Sequence, residues 1–153
     1  MKRFISLLFV AIFMLTLCGC EKELSADLNT VMADINEQFA FENMNEIESK
    51  QELSQYYLVE KEEVNTFAAE FSTGNSYTTE IIFVEAVDEV AAENVAKVLS
   101  NYYRTRVDMA NTYDPDFAYI LSKCSVKRDG RYVSLVISDK VEEIEEVYNS
   151  YFE

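Results

Sequence analysis

Tyrosine and arginine side chains that could bind a polar ligand are concentrated in one short stretch of the chain. This stretch contains Tyr102, Tyr103, Arg104 and Arg106, and Tyr113 follows it. A guanidinium offers a planar fork of hydrogen-bond donors and a tyrosine ring offers a flat face, so a surface patch of these residues could grip a carboxylate, a phosphate or a sugar. We take Tyr103, Arg104 and Arg106 as the candidate ligand-binding residues. The alternative places Tyr102 and Tyr113 in the core and pairs the arginines with nearby acids.

Carboxylates suggest two further kinds of chemistry, acid/base catalysis and cation binding. Asp114 and Asp116 flank Pro115 and could act as a general acid/base pair, but a helix cap by Asp114 explains the same residues more simply. Glutamates cluster at 60–63 and 142–146, and oxygen-rich clusters can hold Ca²⁺. Neither cluster has EF-hand spacing, and both suit solvated helix faces. We therefore predict no catalytic residue, no metal site and no cofactor.

The histidine and cysteine content excludes several familiar active sites. The chain has no histidine, which rules out the Ser-His-Asp and Cys-His nucleophile systems and His-containing zinc sites. Cys124 is the last of three cysteines and lies beside an apolar strand. A free cysteine in such a place usually packs as a small hydrophobe. A reactive or intermolecular thiol is the alternative.

Composition indicates a folded, strongly acidic domain. The chain has 153 residues, of which 49% are hydrophobic and 13% aromatic, far from the composition of a disordered protein. Its formal net charge is −15. This charge argues against a nucleic-acid partner, because phosphate binding depends on lysine and arginine. Solubility is the simplest role of the charge, and a basic partner or loose cation screening in the cell wall is the alternative.

The first twenty residues have the layout of an export signal. Lys2 and Arg3 precede an uncharged apolar run at 4–17, and the sequence Leu-Cys-Gly-Cys follows at 17–20. These four residues resemble the bacterial lipobox, in which the cysteine thiol receives a diacylglyceryl group before the peptide is cut. Cys20 is therefore the predicted lipidation site. The apolar run is shorter than the roughly 20 residues that span a bilayer, which favours cleavage over a retained anchor.

The export signal divides the chain into three parts. We expect residues 1–19 to be a cleaved signal peptide, 20–26 to be the lipidated cysteine with a short spacer, and 27–153 to form a single α+β domain. Loss of the signal leaves 11 basic against 28 acidic residues, a net charge of −17. The chain would then be held on the outer face of the cytoplasmic membrane, and the membrane is its first predicted partner.

Hydrophobic periodicity predicts the elements of this domain. Apolar residues at helical spacing predict helices at 25–39, 51–58, 88–111 and 115–122 and from 139 onward. Alternating or continuous apolar runs predict strands at 64–72, 78–86, 124–128 and 131–138. The segment 41–48 is polar and predicted to be irregular. The fold class is therefore α+β, with an antiparallel sheet of about four strands in two hairpins, packed against an amphipathic long helix and the N- and C-terminal helices.

The sequence also predicts helix caps, a hairpin turn and the apolar stripe of the long helix. Ser25 and Asp139 are the predicted N-caps of the first and last helices. Asp129 and Gly130 are the predicted two-residue turn of the second hairpin. Met109 and Tyr113 are assigned to the apolar stripe of the long helix.

The pattern resembles a family of small lipoproteins from Gram-positive, clostridial-type bacteria that carries a domain of unknown function. The resemblance is carried by the lipobox at 17–20, the strand at 79–84, the Tyr- and Arg-rich helix segment at 102–106, and the hairpin at 128–139. It implies an extracytoplasmic lipoprotein without an assigned reaction, and it brings no functional residues with it.

Together these observations favour a membrane-anchored extracytoplasmic lipoprotein that acts as a non-enzymatic binding or protein-interaction module. The membrane is reached through the diacylglyceryl group on Cys20, and a cell-envelope protein is the further partner that this interpretation allows. Two alternatives remain. One is an accessory cell-envelope hydrolase with two carboxylates across a cleft. The other is a small solute-capture protein, which would need a small pocket lined by tyrosine and arginine.

Overall fold

The computed structural model describes residues 25–73 and 79–152. The predicted signal peptide, the predicted lipidation site Cys20 and residues 74–78 lie outside the described residues.

The described chain alternates helices and strands. Its five helices are α1 Leu28–Phe39, α2 Lys50–Tyr57, α3 Glu89–Tyr113, α4 Pro115–Leu121 and α5 Val141–Ser150. Its five strands are β1 Met44–Glu46, β2 Val64–Ser72, β3 Glu80–Ala86, β4 Val126–Asp129 and β5 Tyr132–Ile137. A short 3₁₀ turn, Lys61–Glu63, leads into β2.

The five strands form one antiparallel sheet in the order β1-β2-β3-β5-β4. The α+β class and the two hairpins predicted from the sequence are confirmed, with one additional edge strand. The prediction that 41–48 is irregular was wrong at β1, where Met44 pairs with Ser72 and Glu46 with Glu70. Three residues are too few to show a strand period, so the sequence of β1 carries no signal of its own; pairing with the longer β2 makes it a strand.

Strand β3 lies at the centre of the sheet and is covered on both faces. Phe83 stacks on Tyr148 of α5 with 4.5 Å between ring centroids, whereas Glu80 contacts Tyr102 and Arg106 of α3. Because successive side chains of a strand point to opposite faces, residues 80, 82 and 84 face α3 and residues 81, 83 and 85 face α5 and α1. All seven residues of β3 are buried. A continuous apolar run such as this one is typical of a strand with two-sided burial.

The helix caps agree with the sequence in part. Asp88 and Asp114 cap α3 and α4 as predicted, each accepting a hydrogen bond from a backbone N–H of the first turn. Ser25 does not cap α1; Asp27 does, accepting from the N–H of Asn29. The two residues lie close together and both can cap, so the sequence alone placed this boundary only to within a turn.

The start of α5 also differs from the prediction. Lys140, not Asp139, occupies the N-cap position, and no side chain caps the helix there. The hydroxyl of Ser138 accepts a hydrogen bond from the N–H of Lys140 and donates one to the carboxylate of Asp139. The predicted capping box is therefore replaced by a serine turn that precedes the helix.

The turn between β4 and β5 is shifted by one residue from the prediction. Asp129 pairs with Tyr132 as the last residue of β4, so the two turn residues are Gly130 and Arg131. Gly130 has a φ of +53°. A glycine at the first central position is the arrangement of a type II′ hairpin, whereas the predicted Asp-Gly turn would need positive φ at both positions.

The C-terminal turns of α3 leave the sheet. Met109 and Tyr113 are exposed, so their assignment to the apolar stripe was wrong. This end of α3 packs on α4, where the Tyr103 hydroxyl donates to the carbonyl of Leu121 and Arg106 lies over the ring of Phe117. A single short helix covers one side of α3 only, which leaves the opposite side open to solvent.

Two glutamates face each other across the β1–β2 edge. Glu46 pairs directly with Glu70, which is 8% exposed and accepts a 2.7 Å hydrogen bond from Asn36 of α1. Burial raises the pKa of Glu70 above its ordinary 4.5, and the charge of Glu46 raises it further, whereas the Asn36 bond acts in the opposite direction. A raised pKa in the folded state means that the charge of Glu70 opposes folding at neutral pH.

We predict that Glu70→Gln raises the free energy of unfolding at pH 7 by about 0.5 kcal/mol, because the amide oxygen keeps the Asn36 bond and the like-charge pair disappears. The advantage shrinks as the pH falls through the folded-state pKa of Glu70 and disappears below the ordinary value of 4.5, where the wild-type carboxyl is protonated in both states. Urea denaturation across this pH range measures it, with Glu42→Gln as the control. A Gln variant that is less stable than wild type at pH 7 contradicts the prediction.

Candidate functional site

A small pocket opens beside the first residue of β3, between α2, β2 and α3. Its volume is about 180 Å³. It is lined by aromatic rings together with a few polar groups, namely Tyr56, Tyr57, Phe71, Ser72, Glu80, Tyr102 and Arg106. An apolar wall with a few convergent polar groups is the composition expected of a ligand site.

A buried ion pair forms the polar end of this pocket. Arg106 Nη2 lies 2.7 Å from Glu80 Oε1, and the Tyr102 hydroxyl donates a 2.5 Å hydrogen bond to Glu80 Oε2. The side chain of Glu80 is 7% exposed and that of Arg106 is 26% exposed. A carboxylate this deeply buried requires such partners, because isolating its charge from water costs several kcal/mol.

The sequence places these groups together through two regular elements. Tyr102 and Arg106 stand four residues apart on α3, so both project from one face of the helix. Glu80 opens β3 and points to the same face of the sheet as α3. Phe117 of α4 covers the guanidinium of Arg106, with the guanidinium carbon 5.2 Å from the ring centroid. The ion pair is therefore held by a strand and a helix and covered by a second helix.

Aromatic rings form the walls. Tyr57 meets Tyr102 edge to face at 5.0 Å between centroids, and Tyr56 contacts Phe71 at 5.1 Å. Tyr56 is half exposed at the rim, whereas Tyr57 is buried. Consecutive residues at the end of α2 thus supply the inner wall and the outer rim of the same pocket.

The hydroxyl of Tyr57 is a polar group of the pocket that the described residues leave unused. Tyr57 is 2% exposed and lines the pocket, yet no hydrogen bond joins its hydroxyl to any of the described residues. Burial raises the pKa of this phenol, and the nearby carboxylate of Glu80 raises it further. The group therefore stays protonated and offers a hydrogen-bond donor. In the described part of the chain this oxygen is not one of the side-chain atoms that are fully buried without a partner, so it reaches solvent, where water or a bound molecule can accept its hydrogen bond.

The structure brings one of the three predicted ligand-binding residues into this pocket. Arg106 is there, together with Tyr102 from the same stretch. Arg104 is exposed on another side of α3 and donates to the side chain of Asn101 at 2.6 Å. Tyr103 donates to the carbonyls of Leu121 and Cys124 and so ties the end of α4 to α3. A continuous patch of all these side chains does not form, because neighbours on a helix point in different directions.

The remaining sequence candidates have other roles. Tyr113 is 82% exposed, and Asp114 is the cap of α4. In the described part of the chain, no group of three or more acidic or cysteine side chains is arranged to hold a metal ion. Cys124 is buried, and burial raises the pKa of its thiol, which agrees with core packing rather than reactivity.

The sequence interpretation missed five of the seven residues that line the pocket, among them Glu80 and Tyr57. Glu80 carries a signal that could have found it, because an acidic residue in a strand buried on both faces must have a partner. Tyr57 was seen only as part of a short apolar helix. Its role depends on how α2 packs against α3, which no local pattern reveals.

A second concavity lies between α1 and α5 and is wide and open. It is lined by Asp34, Glu37, Glu146 and Tyr151, among others. The hydroxyl of Tyr151 donates to the carboxylate of Asp34 across it. Its carboxylates face solvent, and it lacks the enclosing aromatic walls of the first pocket.

Disrupting the buried ion pair should cost far more than removing its exposed neighbour. We predict that Arg106→Gln lowers the free energy of unfolding by about 2 kcal/mol, because Glu80 is left buried with only the Tyr102 bond to its charge. The matched control Arg104→Gln changes it by less than about 0.5 kcal/mol. Guanidinium denaturation measures both. Equal losses in the two variants would show that the Arg106–Glu80 pair contributes nothing beyond a surface contact.

No helix in the described residues is both long and apolar enough to cross a membrane.

Comparison with known proteins adds one finding, a match to a family model. No curated protein and no solved structure matches the chain. The family model described as "Domain of unknown function (DUF4358)" matches residues 37–138, two thirds of the chain, which confirms that the chain carries a domain of unknown function. The matched region includes Tyr57, Glu80, Tyr102 and Arg106. The chain therefore belongs to the DUF4358 family.

Proposed function

We propose that this protein is a membrane-anchored extracytoplasmic lipoprotein whose domain is a non-enzymatic binding module, and that the tyrosine-walled pocket is its binding site. One observation carries the binding part of the proposal. Tyr57 lines the pocket, and its hydroxyl is a donor that no described residue uses. The anchoring part rests on the sequence of residues 1–20 and on the resemblance to Gram-positive lipoproteins.

Anchoring follows from the chemistry of the predicted lipidation. A single chain of myristoyl length binds a bilayer only marginally, whereas two chains hold a protein stably at about 0.8 kcal/mol per buried CH₂. A diacylglyceryl group on Cys20 meets this condition. Ala26 is six positions beyond Cys20, so the domain would begin within about 20 Å of the lipid.

The position of the pocket relative to this tether supports a role directed away from the membrane. The N–H of Ala26 donates to the hydroxyl of Tyr132, which pairs with Glu85 near the end of β3. Glu80 lies at the start of β3 and points to the opposite face of the sheet. The pocket is therefore at the other end and on the other face of the sheet from the tether, where a ligand of the envelope could reach it.

The charged groups of the pocket favour binding over hydrolysis. A carboxylate hydrolase needs two carboxylates across a cleft, one as acid and one as base or nucleophile. Among the described residues, Glu80 is the one carboxylate that lines the pocket, and Arg106 and Tyr102 already occupy its two oxygens. A carboxylate with both oxygens engaged in this way suits recognition and not proton transfer.

Solute capture is the second candidate. It requires a small pocket lined by tyrosine and arginine, and the pocket has this lining and a volume of about 180 Å³. It differs from the leading proposal in its consequence, since a captured solute would be handed to a transporter. Both candidates use the same pocket residues.

The anchoring proposal is tested at Cys20. We predict that Cys20→Ala abolishes incorporation of a labelled fatty acid and blocks removal of residues 1–19, because the thiol is the acceptor of the lipid. Cys18→Ala, two residues earlier, should keep both. Fatty-acid labelling followed by intact-mass analysis measures the two events.

A Cys20→Ala protein that is labelled and processed like wild type overturns the anchoring proposal. If Cys18→Ala loses the label and Cys20→Ala keeps it, the lipid is attached to Cys18, and this result also overturns the anchoring proposal. Neither result bears on ligand binding by the pocket.

A further inference from the structure

We propose that the pocket binds a neutral, hydroxyl-bearing ring, namely one sugar residue. This inference rests on the proposed function, which makes the pocket a ligand site, and goes further by naming the class of ligand. The charge, the size and the hydrogen-bonding groups of the pocket support it.

The charged groups of the pocket exclude both anionic and cationic ligands. An anion would meet Glu80 inside the pocket and the net charge of −15 outside it. A cation would have to compete with Arg106 for Glu80, at an existing separation of 2.7 Å. The two charged side chains that line the pocket balance each other. A neutral ligand is therefore the class that enters without disturbing the ion pair.

The size limits that ligand to a single ring. The volume of about 180 Å³ equals the space of about six water molecules. Pockets for drug-sized molecules begin at about 300 Å³. A six-membered ring with its substituents is the largest unit that this pocket can hold, so anything longer must project through the mouth.

The polar groups match hydroxyls, which both donate and accept. Tyr57 supplies a buried donor, and a hydroxyl oxygen can accept from it. Each carboxylate oxygen of Glu80 has one partner and a second lone pair, so it can accept from a hydroxyl of the ligand. The ring of Phe71 provides the flat apolar surface for the C–H face of a sugar inside the pocket.

A free monosaccharide and a residue of a glycan chain share this chemistry. Tyr56 is 52% exposed at the rim and adjacent to the buried Tyr57. A neighbouring sugar of a chain would lie over this exposed ring, whereas a free monosaccharide would not need it. The contribution of Tyr56 to binding longer probes therefore distinguishes the two sources.

Binding to the full-length protein in a detergent without a sugar headgroup tests the inference. The probes are N-acetylglucosamine, glucose, galactose and mannose, together with the tetramer of N-acetylglucosamine; phosphate and arginine amide are the charged comparisons. We expect at least one neutral sugar to bind with a dissociation constant of about 1 mM or lower. Its affinity should change little between low and high salt, because no net charge is neutralised.

Two variants locate the binding in the pocket, each with a matched control. Tyr57→Phe should weaken the affinity about fivefold through the loss of one hydrogen bond, and Tyr113→Phe should leave it unchanged. If the ligand is a glycan chain, Tyr56→Ala should weaken binding of the tetramer more than binding of the monosaccharide. If the ligand is a free sugar, Tyr56→Ala should change the two affinities equally. Tyr113→Ala is the control for this variant. Isothermal titration calorimetry measures all of them.

Three results would overturn the inference, and they differ in what they leave standing. Binding of phosphate or arginine amide without any neutral sugar, when it is weakened by Tyr57→Phe, removes the sugar and keeps the pocket as a binding site. Sugar binding that Tyr57→Phe and Tyr56→Ala leave unchanged places the sugar elsewhere. Absence of binding by every probe removes the sugar class, and the proposed binding function then rests on ligands outside the panel.

Discussion

Strand β3 is covered on both faces, so the surrounding elements must supply partners for the polar side chains that it buries. A strand of seven buried residues can carry a carboxylate only where a partner reaches it. β3 carries one at each end and on each face. Arg131, Asn65 and Thr66 contact Glu85, and Arg106 and Tyr102 contact Glu80. The two ends differ in what lies beside them: among the described residues, the Glu80 end borders the tyrosine-walled pocket, whose Tyr57 hydroxyl no described residue uses.

The pocket is a consequence of how three elements meet at that end of β3. The end of α2 supplies two consecutive tyrosines, α3 supplies a tyrosine and an arginine one helical turn apart, and the strand supplies the carboxylate. Each side chain is set by a regular element and not by a loop, so the arrangement is rigid before any ligand arrives. Preorganisation of this kind reduces the ordering cost of binding, which matters for a small pocket with few contacts to offer.

The sequence predicted the fold better than the site, for identifiable physical reasons. The hairpins, the two-sided burial of β3 and the long helix follow from periodicity, which is a local property. Strand β1 does not, since its three residues gain strand structure only by pairing with β2. Arg106 was found through its residue type. Its partner Glu80 lies 26 positions away and meets it only because α3 packs across the sheet, and Tyr57 depends on tertiary packing in the same way.

The central claim is that the Tyr57 hydroxyl serves a ligand and not the fold. The most direct measurement is the free energy of unfolding of Tyr57→Phe at neutral pH without added ligand. A hydroxyl that lacks a protein partner contributes nothing to the native state, so the variant should be as stable as wild type or more stable by up to about 1 kcal/mol. A loss of about 1 kcal/mol or more would show that the hydroxyl has a structural partner, and would contradict the account.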